Sequence, residues 1–238
     1  MPVNQLVYSR RFKTGAHNNL YGLSMGVIEM TIKLHGMPLS NYYNVVKAVM
    51  LEKGVEFEEI LTKPSQEEGY LSLSPMGKVP CMETELGFIT ESSVMLEYLE
   101  DLGKGPSLYP TEAYRRAKAR ELMRYLELYI ELPARRLYGD VFFGKPASEE
   151  EKAAVKKLLD KGFAALGSIA VYDPYIAGED LTVVDFYAVF ALSPVLGVCK
   201  KTWNWDVRAT MPKLRALSDL MGERDSVSRV KADQVNNS

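Results

Sequence analysis

Four residues in the first hundred have the chemistry to hold a small, charged, peptide-like molecule. In SPMGKVPCME, residues 74–83, Pro80 interrupts a segment that otherwise reads as a strand. A proline removes a ladder donor, so it belongs at a strand start or a sheet edge. An X-Pro bond also adopts the cis form at modest cost. The spacing predicts a cis Val79-Pro80 bond with the N–H and C=O of Val79 turned outward, open to the backbone of an extended ligand. Eleven residues on, TESSVMLEYLE places Glu91 and Ser92 where a helix begins. Free N–H groups and the positive dipole end there attract a carboxylate, and the neighbouring acid attracts an ammonium. An α-amino acid head group carries both charges. The same residues also read as a plain turn and N-cap, and on type and spacing alone the two readings stand level.

The elements that must position these groups follow from periodicity. TIKLHG alternates as a short strand with Ile32 and Leu34 on one side. NYYNVVKAVMLEKG repeats Val45, Val46, Val49 and Met50 at helical spacing, closed by Lys53 and a Gly54 C′ residue. VEFEEIL is a second strand with Val55 and Phe57 inward. Strand, helix and strand at this length predict a parallel βαβ unit. A short helix around Tyr70–Leu73 follows, then a hairpin turning at Glu85–Gly87. A helix capped by Ser92 or Ser93 comes next, with Val94, Met95, Tyr98 and Leu99 as its apolar face and Gly103 as its stop. After a linker at 105–111 everything reads as helix. One runs through AYRRAKARELMRYLELYIEL with Leu122, Tyr125, Leu126 and Tyr129 on one face. A second covers Glu149–Ala170, a third starts at Thr182 and is bent or ended by Pro194, and a last one follows Pro212. The organisation is a poorly ordered extension (1–29), an α/β domain (30–104), a linker (105–111) and an all-helical domain with a C-terminal tail (112–238).

Composition narrows the function. The chain is 47% apolar and 25% charged with a net charge of -2, which offers no electrostatic footprint for nucleic acid. Cys81 and Cys199 form no CxxC pair, and with two histidines they make no metal cluster. No apolar run approaches the ~20 residues of a membrane span. The expectation is a soluble, cytoplasmic protein without a metal. Residues 1–29 carry Arg10, Arg11 and Lys13 against the single acid Glu29. That pattern fits a disordered tail or an upstream start better than an organelle transit peptide. GDVFFGKP at 139–146 nearly spells a phosphate-binding loop, but Pro146 stands where the Mg²⁺-binding hydroxyl belongs and no strand precedes it.

GMPLSNYYN, SPMGKVP and TESSVMLEYLE, in this order and spacing, closely resemble the glutathione transferases over residues 30–225. The resemblance implies a thioredoxin-like domain followed by an all-α bundle, with glutathione as co-substrate and a homodimer as the working unit. It implies a role for Val79 in pairing with the cysteinyl backbone of glutathione, beside a cis Pro80. Glu91 and Ser92 would hold the γ-glutamyl group. Lys78 would contact glutathione too, and Lys63 less definitely so. IAGEDLTVVDFYAVFAL looks like the family's capping box, Thr182 capping the helix and Asp185 reaching back.

The catalytic candidate is Ser40, at the strand-to-helix corner where serine-type classes of the family place their hydroxyl. Tyr42 and Tyr43 are fallback hydroxyls, and Asn41 is a possible amide donor. A thiol of pKa about 8.5 is only a few per cent thiolate at neutral pH, and lowering it ~2 units requires roughly 3 kcal/mol. A charged hydrogen bond supplies about 1.5–3 kcal/mol, and a helix N-terminus up to ~2. Ser40 and the first helical turn therefore suffice. No cysteine stands at this corner, which argues against thiol-transferring members. Cys81 reads as inert packing. Tyr125, Tyr129, Tyr138, Phe142 and Phe143 are mostly core by spacing, with some free to line an apolar pocket. The implied activity is attack of glutathione thiolate on a small hydrophobic electrophile, a detoxification chemistry. Alternatives are glutathione-dependent isomerisation, peroxide reduction, or a non-catalytic interaction domain of the same fold.

Overall fold

The computed structural model describes residues 32–236, so both readings of residues 1–29 lie outside the described residues. The first part of the chain comprises β1 (Ile32–Gly36), α1 (Asn41–Glu52), β2 (Phe57–Leu61), α2 (Glu68–Leu71), β3 (Cys81–Thr84), β4 (Gly87–Ile89) and α3 (Ser92–Asp101). The strands form one mixed sheet in the order β2-β1-β3-β4. β1 runs parallel to β2 and antiparallel to β3, which pairs antiparallel with β4. This is the thioredoxin-like layout the sequence implied. Val45, Val46, Val49 and Met50 of α1 are fully buried, as their spacing requires.

Two glycines set the loops that carry the site. A Cβ on Gly36 would stand 2.3 Å from the Tyr43 ring, so only glycine lets the end of β1 close on α1 and form the corner at Ser40. Gly77 has φ +63°, and a Cβ there would lie 2.2 Å from the Ser65 carbonyl. It folds the loop before Val79 back onto residues 65–66.

The remainder is helical: α4 (Ala113–Tyr125), a π-helical turn (Leu126–Glu131), α5 (Leu132–Arg135), α6 (Tyr138–Phe143), α7 (Glu149–Ile169), α8 (Val183–Trp203), α9 (Val207–Thr210), α10 (Pro212–Gly222) and α11 (Asp225–Asn236). Helix α8 is the hub, packing on α1, α4, the π turn and α10. It corrects two expectations. Pro194 does not end it, because apolar packing along the helix outweighs one lost backbone bond. It is also long and apolar enough to cross a membrane by length and composition, although two thirds of that stretch is buried in the protein core.

Other differences have local causes. Val94 is 52% exposed, and Leu96 takes its place with Met95 and Leu99 on the buried face of α3. The π turn shifts the helical phase after Tyr125, so Tyr129 points outward while Leu122 and Leu126 stay buried. Lys53 does more than end α1: nearly buried, it bridges Glu100 (2.8 Å) and the Pro106 carbonyl (2.7 Å), tying α1 to α3 and the linker. The chain does not finish with the helix after Pro212, since α11 follows and packs on α1. GDVFFGKP forms α6 and its left-handed Gly144 cap, with no phosphate-loop geometry.

Candidate functional site

Ser40 is the N-cap of α1. Its backbone is extended (φ −81°, ψ 117°) and its Oγ accepts from the Tyr43 N–H at 3.3 Å. The half-buried hydroxyl has no acceptor for its own proton among the described residues. Its neighbours are committed elsewhere. Tyr42 donates to Glu131 at 2.9 Å, and burial together with that carboxylate raises its pKa far above the usual phenol range. Tyr43 is 2% exposed and donates to Glu59; burial and that bond raise its pKa too. Asn41 donates an amide N–H to Glu131 at 3.2 Å, and its side-chain carbonyl accepts from Arg135 at 3.2 Å. Of the three hydroxyls at the corner, only that of Ser40 keeps an unassigned proton.

The shelf lies on the next loop. Val79-Pro80 is cis. The Lys78 carbonyl accepts from Tyr70 (2.9 Å) and Ser74 (2.8 Å), which fixes the approach to Val79. Neither the N–H nor the C=O of Val79 has a partner among the described residues. The side chains of Lys78 and Lys63 are exposed. Cys81 is buried against the Leu73 carbonyl (3.3 Å), and burial pushes its thiol up to about 11, so it is chemically quiet.

At α3 the cap differs from the expectation. Glu91 is the N-cap and Ser92 the first helical residue. Glu91 adopts φ 69°, a left-handed conformation costly for any residue with a Cβ, and its side chain does not cap the helix. Such strain is held only by surrounding structure and concentrates at ligand sites. Ser92 is 8% exposed, its hydroxyl 3.4 Å from that of Tyr187 on α8. In the second half of the chain, Asp185 accepts from the N–H of Ile176 (2.8 Å), and from the N–H (2.8 Å) and hydroxyl (3.1 Å) of Thr182. Thr182 is the N-cap of α8, and Asp185 reaches back to its backbone N–H, so the expected capping box is present.

Sequence reasoning missed the groups that the helical half brings to the corner. Glu131, with no exposed side-chain surface, accepts from Asn41, Tyr42, Tyr138 (3.0 Å) and Arg135. Glu127, one π turn earlier, pairs with Arg124 at 2.7 Å. Its pKa is raised by burial and by the nearby charges of Glu91 and Glu131. Both acids sit inside LELYIE, where the only available signal is two charges in an otherwise apolar stretch. A cavity of about 620 Å³ between α8 and α10, lined in part by Lys200, Trp205 and Arg208, contains none of these residues.

Residues 34–107 match the family model for the glutathione S-transferase N-terminal domain, and residues 133–224 match the C-terminal domain model. A glutathione S-transferase of Pseudomonas putida is 43% identical over 203 residues, which cover 85% of this chain and 92% of the relative. A serine-to-cysteine mutant of poplar glutathione transferase F1 superposes with a TM-score of 0.73 at 20% identity, covering 87% of this chain and 99% of that one. A glutathione transferase homologue from Sulfitobacter, solved with bound glutathione, gives 0.65 at 20% identity over 85% of this chain and 97% of its own.

Proposed function

The chain belongs to the glutathione S-transferase family, and from that premise we propose that it conjugates glutathione to small hydrophobic electrophiles, with Ser40 as the group that stabilises the thiolate. The observation that carries this reading is the unassigned hydroxyl proton of Ser40 at the N-cap of α1, beside two phenols whose protons are committed to Glu131 and Glu59. Glutathione lies with its cysteinyl backbone along the open N–H and C=O of Val79. Its γ-glutamyl carboxylate meets the free N–H groups at the start of α3, and its ammonium meets Glu91. Lys78, and more distantly Lys63, face the remaining carboxylate.

The mechanism follows from that placement. The thiol loses its proton to solvent. Ser40 donates to the resulting sulfur anion, and the first turn of α1 adds its dipole. The thiolate attacks the electrophilic carbon held by the helical half and displaces a leaving group such as chloride, or adds to an activated double bond. The protein works as a cytoplasmic homodimer and needs no metal.

Turnover of aryl halides, with retention on immobilised glutathione that is lost in Glu91→Ala and Ser92→Ala, tests the proposal. Retention without turnover of aryl halides, cis-enones or organic peroxides would instead identify a non-catalytic interaction domain. Turnover of enones or peroxides alone would move the same thiolate to isomerisation or peroxide reduction.

A further inference from the structure

The helical half holds the guanidinium of Arg135 at the Ser40 corner. It ends α5, four residues after Glu131. Its Nε donates to Glu131 at 3.2 Å, and its Nη2 donates to Glu131 and, at 3.2 Å, to Asn41, the residue that follows Ser40. Its central carbon lies over two aromatic rings, 5.4 Å from the Tyr42 centroid and 5.1 Å from that of Tyr138. One edge of the fork is thus fully used and the orientation is fixed. The other edge is different: Nη1 has no partner among the described residues, and the side chain keeps 42% of its surface exposed.

Such an arrangement exceeds what an interdomain tie requires. Glu131 has no exposed surface and receives five donated hydrogen bonds, so its charge is enclosed and spread over its partners. What remains open is Nη1, with two N–H groups on a held, positively charged guanidinium and apolar neighbours. Leu39, immediately before Ser40, is 53% exposed, and Phe142, edge-to-face with Tyr138 at 5.5 Å, is 41% exposed. An oriented arginine beside apolar surface suits a molecule with a flat hydrophobic body and one planar anion.

We propose that Arg135 is the specificity determinant of the electrophile site, binding acceptor molecules that carry a carboxylate and turning their reactive carbon towards the Ser40 corner. This rests on the conjugation reading above and names its substrate class.

The test uses a matched pair, a chloronitrobenzoate and the corresponding chloronitrobenzamide, with the full chain and the variants Arg135→Gln and Arg135→Lys. Rates are divided by the uncatalysed rate of each compound with glutathione, and binding of the two preformed glutathione conjugates is measured by calorimetry. The native protein should prefer the acid about tenfold, the low end for a charge-assisted hydrogen bond at a half-exposed site. Arg135→Gln should abolish the preference and Arg135→Lys should keep part of it. Equal losses for acid and amide in Arg135→Gln would overturn the proposal, because they would place the arginine on the thiolate or in the fold. Absence of acid preference in the native protein, which depends on no variant, would overturn it too. Acid-selective conjugate binding without turnover of either halide would sink the conjugation reading and leave the anion site standing. Turnover without selectivity would do the reverse.

Discussion

Replacing Glu131 with alanine should loosen the joint between the α/β and helical parts of the molecule by about 3 kcal/mol. The carboxylate is fully buried and takes hydrogen bonds from Asn41, Tyr42, Tyr138 and both Nε and Nη2 of Arg135. Alanine strands two mostly buried phenols and an amide, each costing about 1–3 kcal/mol if left without a partner. The low end applies, since the cavity admits water beside the exposed arginine. Arg135 recovers solvent on its open side, so the ion pair itself adds little. Glu131→Gln retains the shape and one acceptor and should cost only about 1–2 kcal/mol. Denaturant unfolding followed by tryptophan fluorescence and far-ultraviolet dichroism measures both. A cycle with Tyr42→Phe should return a coupling of about 1 kcal/mol. A Glu131→Ala midpoint corresponding to less than about 1 kcal/mol, or zero coupling with Tyr42, would refute the reasoning, since it would mean these donors find other partners.

Two further outcomes follow from buried titratable groups. Asp185 is raised to about 6 from an ordinary 3.8, chiefly by burial. Its contribution is therefore fully present below the unfolded value and is lost as the pH rises through the folded one, a change of about 3 kcal/mol. The stability advantage of the native protein over Asp185→Asn should shrink by about that amount between pH 4 and pH 7; a pH-independent difference in unfolding free energy would contradict the assignment. Cys81 and Cys199, pushed up to about 11 and about 12 mainly by burial, should resist alkylation in the native protein at neutral pH and react at once in denaturant. Rapid labelling of the folded chain would show that these side chains are accessible.

Most of the α/β fold was legible because its signals are local. Strand alternation at Ile32–Gly36, the apolar repeat of α1 and the turn between Thr84 and Gly87 each specify an element without help from elsewhere. The helical half was legible only as helix. Its π turn arises from packing of LELYIE against α7 and α8, and no periodicity in six residues announces it. Pro194 misled for the same reason: a local breaker does not end a helix most of whose apolar length is buried. The Ser40, Val79 and Glu91 regions could be read because backbone-directed chemistry leaves marks in Pro, Gly and capping residues. Glu127, Glu131 and Arg135 lie about ninety residues from the corner they face, and their meeting there is a product of tertiary packing alone.

The thiol pKa of bound glutathione tests the central claim most directly, followed through the ultraviolet absorbance of the thiolate across pH in the native protein and in Ser40→Ala. The account predicts a native midpoint about 2 units below that of free thiol, with a rise of about 1–2 units in Ser40→Ala and a matching ten- to hundredfold loss in kcat/KM for an aryl halide. An unshifted midpoint in Ser40→Ala, with glutathione still bound, would contradict it.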